Sequence, residues 1–184
     1  MDAQMKRTWA EVDFDKLAHN YHALRGLAPA GTKYLGLVKA DAYGHGAVPV
    51  AKKLEELGAD YLGVACLDEA IEVREAGVKT PILILGCTSS IYAAELVKYN
   101  ITQACYDLEY AKELSAGAQK AGGTITVHIQ CDTGMTRLGF MCHEDTMEKS
   151  ASEIIEAVKL PGLKAEGIFT HFSDSDGSEE YTML

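Results

Sequence analysis

Short apolar segments recur along this chain at nearly regular intervals, and this spacing restricts the possible folds more than any other feature of the sequence. Polar stretches with helical patterns separate the segments. The six segments begin at Tyr34 (YLGLVK), Tyr61 (YLGVAC), Ile82 (ILILGC), Gln103 (QACY), Ile125 (ITVHIQC) and Ala165 (AEGIFTHF). Successive starts are 27, 21, 21, 22 and 40 residues apart, and the first four intervals are close to the length of one strand, loop and helix. The pattern predicts six buried strands in a parallel sheet covered on both faces.

Residues typical of helix ends lie between the apolar segments. Asp68 and Asp107 are placed to cap the starts of two helices, because a short carboxylate side chain accepts hydrogen bonds from free backbone amides. Glycine and asparagine tolerate the left-handed conformation that often ends a helix, and such residues follow several of the helical patterns. They are Gly58, Gly77, Asn100 and Gly122.

This alternation of strands and helices fits two architectures. One is an open doubly wound sheet, and the other is a closed eight-stranded barrel, which normally takes about 250 residues. The periodicity alone does not choose between them. Both bind ligands at the carboxyl ends of their strands, so the residues directly after each apolar segment are the candidates for a site.

The composition argues against several classes of function. The formal net charge is -10 and the sequence pI is about 5.0, with Lys and Arg scattered, so the chain is predicted to bind neither nucleic acid nor membranes. A polar amino terminus (MDAQMKRTW) and the lack of an apolar run of about 18 residues predict a cytoplasmic protein. Without C-x-x-C or H-x-x-x-H spacing, clustered acids or a Walker-type loop, the sequence predicts no disulfide framework, metal site or nucleotide site.

Lys39 is the residue that follows the first apolar segment, in the stretch VKADAYGHG (38–46). A lysine held among apolar neighbours at a strand end has a poorly solvated amine, which favours the neutral form and makes it a nucleophile toward carbonyl groups. The alternative is a lysine whose amine simply extends into solvent at the rim of the sheet. Position alone does not exclude this second interpretation.

Three motifs, taken together, resemble segments of one enzyme family. VKADAYGHG is similar to the pyridoxal-phosphate lysine motif of alanine racemases, CDTGMTRLGF (131–140) to their D-T-G-M-x-R segment, and FTHFSDSD (169–176) to their T-H-F segment. The motifs occur in the family's order, each at a predicted strand end. On this resemblance the chain is identified as a member of the alanine racemase family, which implies an α/β fold: a partial (β/α)8 TIM-type barrel with about six of its eight βα units.

The resemblance also implies roles for individual residues. Lys39 would be the catalytic residue, binding pyridoxal 5'-phosphate as an imine and transferring a proton at the substrate Cα. Tyr43 would contact the cofactor phosphate, Arg137 would donate to the phenolic oxygen of the ring and contact the substrate, and His171 would line the ring. Asp132 would support these residues through hydrogen bonds.

Other polar residues receive no role in this interpretation. His45 lies between two glycines, where it either lines the mouth of the site or bonds the turn. His128, Glu69 and Glu72 are interpreted as strand or helix surface. No residue is assigned to a metal.

The chain departs from the family pattern in two ways. Gln130 occupies the position at which many members carry a carbamylated lysine, and its carbonyl oxygen is expected to accept a hydrogen bond from Arg137 instead. Residues 1–184 are interpreted as the amino-terminal cofactor-binding barrel domain, truncated and without the family's carboxyl-terminal β-domain. Residues 8–15 (TWAEVDFD) resemble the strand that joins that domain, and residues 1–184 alone are expected to be inactive.

The activity implied by the resemblance is the interconversion of L-alanine and D-alanine, which supplies D-alanine for cell-wall peptidoglycan. The implied partners are a small amino-acid substrate and a second copy of the intact protein in a homodimer. Two alternatives share the same motifs: a serine racemase of the same fold and a non-catalytic pyridoxal-phosphate carrier. A doubly wound binding domain without a cofactor remains the alternative if the motif matches are coincidental.

Overall fold

The computed structural model describes residues 8–183, which form one parallel sheet with helices packed against it. The seven strands are β1 (Leu35–Leu37), β2 (Tyr61–Val64), β3 (Ile82–Ile84), β4 (Thr102–Cys105), β5 (Ile125–Asp132), β6 (Phe140–Met141) and β7 (Leu163–Thr170). The helical segments are α1 (Phe14–Leu27), α2 (Lys39–Gly44), α3 (Ala47–Glu56), α4 (Leu67–Glu75), α5 (Ala93–Tyr99), α6 (Leu108–Lys120), α7 (Met147–Ala157) and α8 (Glu179–Met183), with a 3-10 turn at Ser90–Tyr92. All six predicted strands are present, and the short strand β6 is an addition to them. The prediction that all six are buried is wrong for β7, whose residues are all half-buried or exposed, because β7 is an edge strand that pairs only with β5 in the described part of the chain.

The order of the strands decides between the two architectures. Strands β1 to β5 are neighbours in chain order, β7 follows on the free edge of β5, and every pair is parallel. A doubly wound sheet reverses its strand order at one point, whereas a (β/α)8 barrel winds in one direction. The partial barrel is therefore confirmed and the doubly wound sheet is excluded. Within the described residues β1 and β7 do not pair with each other, so the barrel is not closed.

The two faces of the sheet have different surroundings. Ile125, Val127 and Ile129 of β5 belong to one buried cluster with the helix residues Leu114 and Ala118. Because successive side chains of a strand alternate between faces, the residues between them point to the other side. We call this opposite side the inner face. On β5 it carries Thr126, His128, Gln130 and Asp132.

The predicted helix ends are confirmed at most positions. Asp107 caps α6 and accepts a hydrogen bond from the Tyr110 amide at 2.7 Å, and Asn100 ends α5 in the left-handed conformation. Asp68 is not a cap: Cys66 precedes α4, and Asp68 lies inside its first turn.

The expected strand at residues 8–15 is wrong. Residues 9–13 have no regular structure, and Asp13 caps α1 by accepting from the amides of Asp15 and Lys16. The physical reason is that a strand requires a neighbour for its backbone groups, and no described strand pairs with this segment. No helix in the described part of the chain is long and apolar enough to cross a membrane.

Candidate active site

Lys39 lies at the carboxyl end of β1, where the sequence places it. Val38, just before it, is fully buried and donates its backbone N–H to the Gly63 carbonyl of the next strand at 2.9 Å. Lys39 itself is half-buried, and its Nζ lies 5.9 Å from the ring centre of Tyr43. The backbone on one side of the lysine is thus part of the sheet, while its amine is near an exposed aromatic ring.

The four residues after Lys39 form a left-handed turn. Ala40, Asp41, Ala42 and Tyr43 all have φ between 50 and 56°. Left-handed helical backbone costs about 1–2 kcal/mol for each residue that carries a Cβ, so the turn must be stabilised by its surroundings. The Ala42 amide donates to the Val38 carbonyl at 3.0 Å, and the Gly46 amide donates to the Asp41 carbonyl at 2.9 Å.

Two side chains of the motif also bond the turn. Asp41 Oδ1 accepts from the Ala47 amide at 2.7 Å at the start of α3, and His45 Nδ1 lies 2.8 Å from the Ala42 carbonyl oxygen. Of the two interpretations of His45, the structure favours the one in which it bonds the turn. The motif VKADAYGHG therefore adopts a left-handed backbone conformation that is unusual for residues other than glycine, and it also supplies Lys39.

A second loop of the site follows β5 and is organised by Asp132. This residue is only 4% exposed, and its carboxylate accepts from the amides of Gly134 at 2.9 Å, Thr136 at 2.9 Å and Arg137 at 3.0 Å. Burial raises the pKa of Asp132, but these three N–H donors, together with the nearby charge of His143, outweigh burial, so the pKa lies below its ordinary value. The expected supporting role of Asp132 agrees with this geometry.

The expected hydrogen bond between Gln130 and Arg137 is not formed. Gln130 is 4% exposed, and its Oε1 has no hydrogen-bond partner among the described residues. The Arg137 side chain is exposed. A buried amide oxygen on the inner face thus lies near the loop that carries an exposed guanidinium, and the two groups do not bond.

His171 follows β7, the strand next to β5. Its side chain is exposed, and Nδ1 lies 2.7 Å from the carbonyl oxygen of Phe172. The hydroxyls of Thr133 and Thr170 lie 2.7 Å apart and join the loop after β5 to the end of β7. The histidine and the Arg137 loop are therefore attached to adjacent strand ends.

The structure places all four predicted site residues at the carboxyl edge of the sheet. Lys39 and Tyr43 lie at the β1 end of the strand order, whereas Arg137 and His171 lie at the β5–β7 end. Among residues 8–183 no hydrogen bond joins any two of these four side chains. Glu69, interpreted from the sequence as helix surface, in fact contacts the turn after Lys39.

The side chains at this edge fit the phosphorylated aldehyde that the resemblance implies. A half-buried primary amine can bond covalently to an aldehyde, and an exposed guanidinium can donate to anionic oxygens. Gln130 Oε1 remains an acceptor without a partner in the described residues. No group of three or more His, Cys, Asp or Glu side chains in residues 8–183 is arranged to hold a metal ion.

The sequence is similar to known proteins over nearly its whole length. A sequence model described as "Alanine racemase, N-terminal domain" matches residues 12–184. Alanine racemase of Clostridium perfringens is 44% identical over 98% of this chain and 45% of the relative, and that of Clostridium tetani is 42% identical over 100% and 46%. The chain thus spans about half the length of these curated relatives.

Solved structures agree with the sequence matches. Alanine racemase of Clostridium difficile 630 superposes with a TM-score of 0.91 at 43% identity, covering 98% of this chain and 47% of that one. The Bacillus anthracis enzyme with bound L-Ala-P superposes with a TM-score of 0.87 at 32% identity, covering 98% and 46%. The similarity therefore extends over nearly all of this chain.

Proposed function

The chain belongs to the alanine racemase family, and on this premise we propose that residues 1–184 form the amino-terminal, cofactor-binding barrel domain of an enzyme that interconverts L-alanine and D-alanine. The observation that carries the proposal is the position of Lys39. It follows a fully buried residue at the carboxyl end of a barrel strand, where enzymes of this architecture bind their ligands.

In this proposal Lys39 holds pyridoxal 5'-phosphate covalently. When bound, the cofactor supplies an electron sink for charge that develops at the substrate Cα. The Lys39 amine transfers the proton on one face of that carbon, which requires that its Nζ be held in a fixed direction. The hydrogen-bonded backbone on both sides of Lys39 supports such a role.

The other three predicted site residues would bind and orient the cofactor and the substrate. Tyr43 would contact the cofactor phosphate, and its position close to the Lys39 amine supports this. Arg137 would donate to the phenolic oxygen and contact the substrate, supported by the Asp132 carboxylate that fixes its backbone. His171 would line the cofactor ring from the end of β7.

Inversion at Cα also requires an acid–base group on the opposite face. Family membership implies that this group is a tyrosine of a partner subunit, so we propose a homodimer. We propose alanine rather than serine as the substrate, because the relatives and solved structures compared above are all described as alanine racemases. The same membership leads us to propose a cytoplasmic enzyme that supplies D-alanine for peptidoglycan.

Trapping of the cofactor tests this proposal. The full enzyme that contains residues 1–184 is incubated with pyridoxal 5'-phosphate, reduced with borohydride and digested, and the labelled peptides are identified by mass spectrometry. We expect the label on the peptide that contains residues 38–46, together with alanine racemisation by the unreduced enzyme. A label spread over exposed lysines such as Lys79 and Lys120, with none on Lys39, would overturn the proposal.

A further inference from the structure

The carboxylate of Glu69 joins the residue after Lys39 to the end of the neighbouring strand. Its Oε1 accepts from the Ala40 amide at 2.8 Å, and its Oε2 accepts from the Ala65 amide at 2.7 Å. Ala40 is the first residue of the left-handed turn, and Ala65 follows the last residue of β2. One carboxylate thus bonds two backbone amides at the carboxyl ends of adjacent strands.

The bond to Ala40 acts directly on the lysine. The amide of Ala40 belongs to the same planar peptide group as the carbonyl of Lys39, so fixing that N–H fixes the ψ angle of Lys39. The backbone N–H of Val38 is already bonded to β2. With the peptide groups near Lys39 held on both sides, the direction in which its side chain leaves the backbone is also held.

Glu69 is well placed to act as a rigid support. It lies in the first turn of α4, whose residues Ala70 and Val73 are fully buried against the sheet. The carboxylate is therefore attached to a packed helix instead of a loop. Hydrogen bonds from neutral amides to a carboxylate are stronger than those between neutral groups, which suits a position that must hold left-handed backbone.

We propose that Glu69 is a positioning residue for Lys39: it holds the start of the left-handed turn so that the lysine amine is directed toward the bound cofactor. This inference rests on the proposed function in that Lys39 is taken to carry the cofactor. Glu69 does not contact the reacting atoms in this proposal and acts only through the backbone of Ala40 and Ala65.

The test compares Glu69→Gln with Glu72→Gln. A glutamine at 69 keeps the size of the side chain, but its NH2 group must face one of the two backbone amides, and two donors do not bond. Glu72 lies on the same helix with an exposed side chain, so Glu72→Gln makes the same change of charge away from the turn. Thermal unfolding of each variant shows whether it is folded.

Two measurements follow on the full protein. The first is hydrogen–deuterium exchange of the peptide with residues 38–46, which we expect to be faster in Glu69→Gln and unchanged in Glu72→Gln. The second is the rate of borohydride trapping of pyridoxal 5'-phosphate on Lys39, relative to exposed Lys79 and Lys120. We expect this ratio to fall about tenfold in folded Glu69→Gln, because a displaced amine meets the aldehyde less often.

The outcomes separate this inference from the proposed function. Wild-type protein that is not trapped at Lys39 would overturn the proposed function, and the exchange data would still show whether Glu69 holds the turn. Trapping at Lys39 that is equal in wild type and folded Glu69→Gln would overturn the inference alone. If Glu69→Gln does not fold, Glu69→Asp takes its place, since its shorter carboxylate cannot reach both amides; unchanged exchange and trapping there would likewise overturn the inference.

Discussion

Asp132 Oδ2 accepts a hydrogen bond from the backbone amide of Arg137 at 3.0 Å, so a buried carboxylate fixes the loop that carries an exposed guanidinium. In Asp132→Asn, the new NH2 group must face at least one backbone N–H of the loop. We expect a decrease of about 1–3 kcal/mol in the free energy of unfolding and slower racemisation. Urea unfolding and alanine racemisation measure the two effects. Asp145→Asn, at an exposed aspartate, is the control and should change neither.

Lys39→Ala should abolish both cofactor attachment and racemisation, because the covalent anchor and one proton-transfer group are lost together. Absorbance of the bound cofactor and racemisation of alanine are the measurements. Since Lys39 is half-buried at the carboxyl edge of the sheet and is not part of the core, we expect the thermal unfolding temperature of Lys39→Ala to remain close to that of wild type. Residual racemisation by folded Lys39→Ala would contradict the assigned role.

Because a glutamine cannot form a carbamate, we expect that added bicarbonate does not change the racemase activity of the protein with Gln130. Its Oε1 is buried without a partner in the described residues, so Gln130→Met, which removes that acceptor at similar size, should be neutral or stabilising by about 1 kcal/mol. Gln130→Lys should acquire activity that rises with bicarbonate. Assays with and without bicarbonate, beside urea unfolding, check these expectations, and bicarbonate-dependent wild-type activity would refute them.

Glu55 should make the free energy of unfolding depend on pH in the acidic range. Burial raises the pKa of Glu55, but hydrogen bonds from the Thr80 and Lys79 amides and the Thr80 hydroxyl, with the charge of Arg74, bring it below the ordinary value. Its contribution is therefore complete above the unfolded pKa of about 4.3 and is lost as pH falls through the lower folded pKa. Urea unfolding from pH 7 to pH 3 should show a smaller acid loss in Glu55→Gln than in wild type.

Gly139 should tolerate no side chain. Its φ is +136°, and a Cβ there would lie 2.5 Å from the backbone nitrogen of Asp132 and 2.7 Å from the carbonyl carbon of Cys131. These are backbone atoms of β5, which cannot move without breaking the pairing of β5 with β6. Gly122→Ala is the matched control, because Gly122 also has positive φ but nothing within 4 Å of its Cβ position.

For Gly122→Ala we expect a loss of about 1 kcal/mol from the backbone conformation alone. Gly139→Ala should lose at least about 2 kcal/mol more, through the steric overlap with β5. Urea unfolding of the two variants beside wild type gives the difference. Equal losses would show that the close approach between Gly139 and β5 does not contribute to stability.

Local features of the sequence were enough to predict most elements. The apolar runs at Tyr61 and Ile82 became strands, and Asp107 and Asn100 begin and end helices as expected. These features can be predicted because side-chain alternation, helix capping and the ability of a residue to adopt the left-handed conformation all depend on residues close together in the chain. Asp68 is the exception, because α4 begins at Leu67, two residues earlier than a cap at Asp68 requires.

The candidate site was predicted in part. The motif residues Lys39 and Arg137 were found through resemblance, and the structure places both at the carboxyl edge. The contact of Glu69 with Ala40 was missed, because the two residues are 29 positions apart and an acid in the first turn of a helix is usually exposed. The left-handed turn itself was also missed, since alanine, aspartate and tyrosine do not favour that conformation.

The sequence by itself determined six of the seven described strands, their parallel direction and most of the helix ends, because these follow from periodicity and from preferences of neighbouring residues. It also determined the motif residues, through their resemblance to one enzyme family. Periodicity left the barrel and the doubly wound sheet open, and the strand order in the tertiary structure confirmed the partial barrel that the resemblance implied. Only the tertiary structure decided that Glu69 bonds the turn after Lys39 and that Gln130 and Arg137 do not bond. The physical reason is that strand order and side-chain contacts depend on packing between distant segments. That packing selects one arrangement among several that the local signals allow equally.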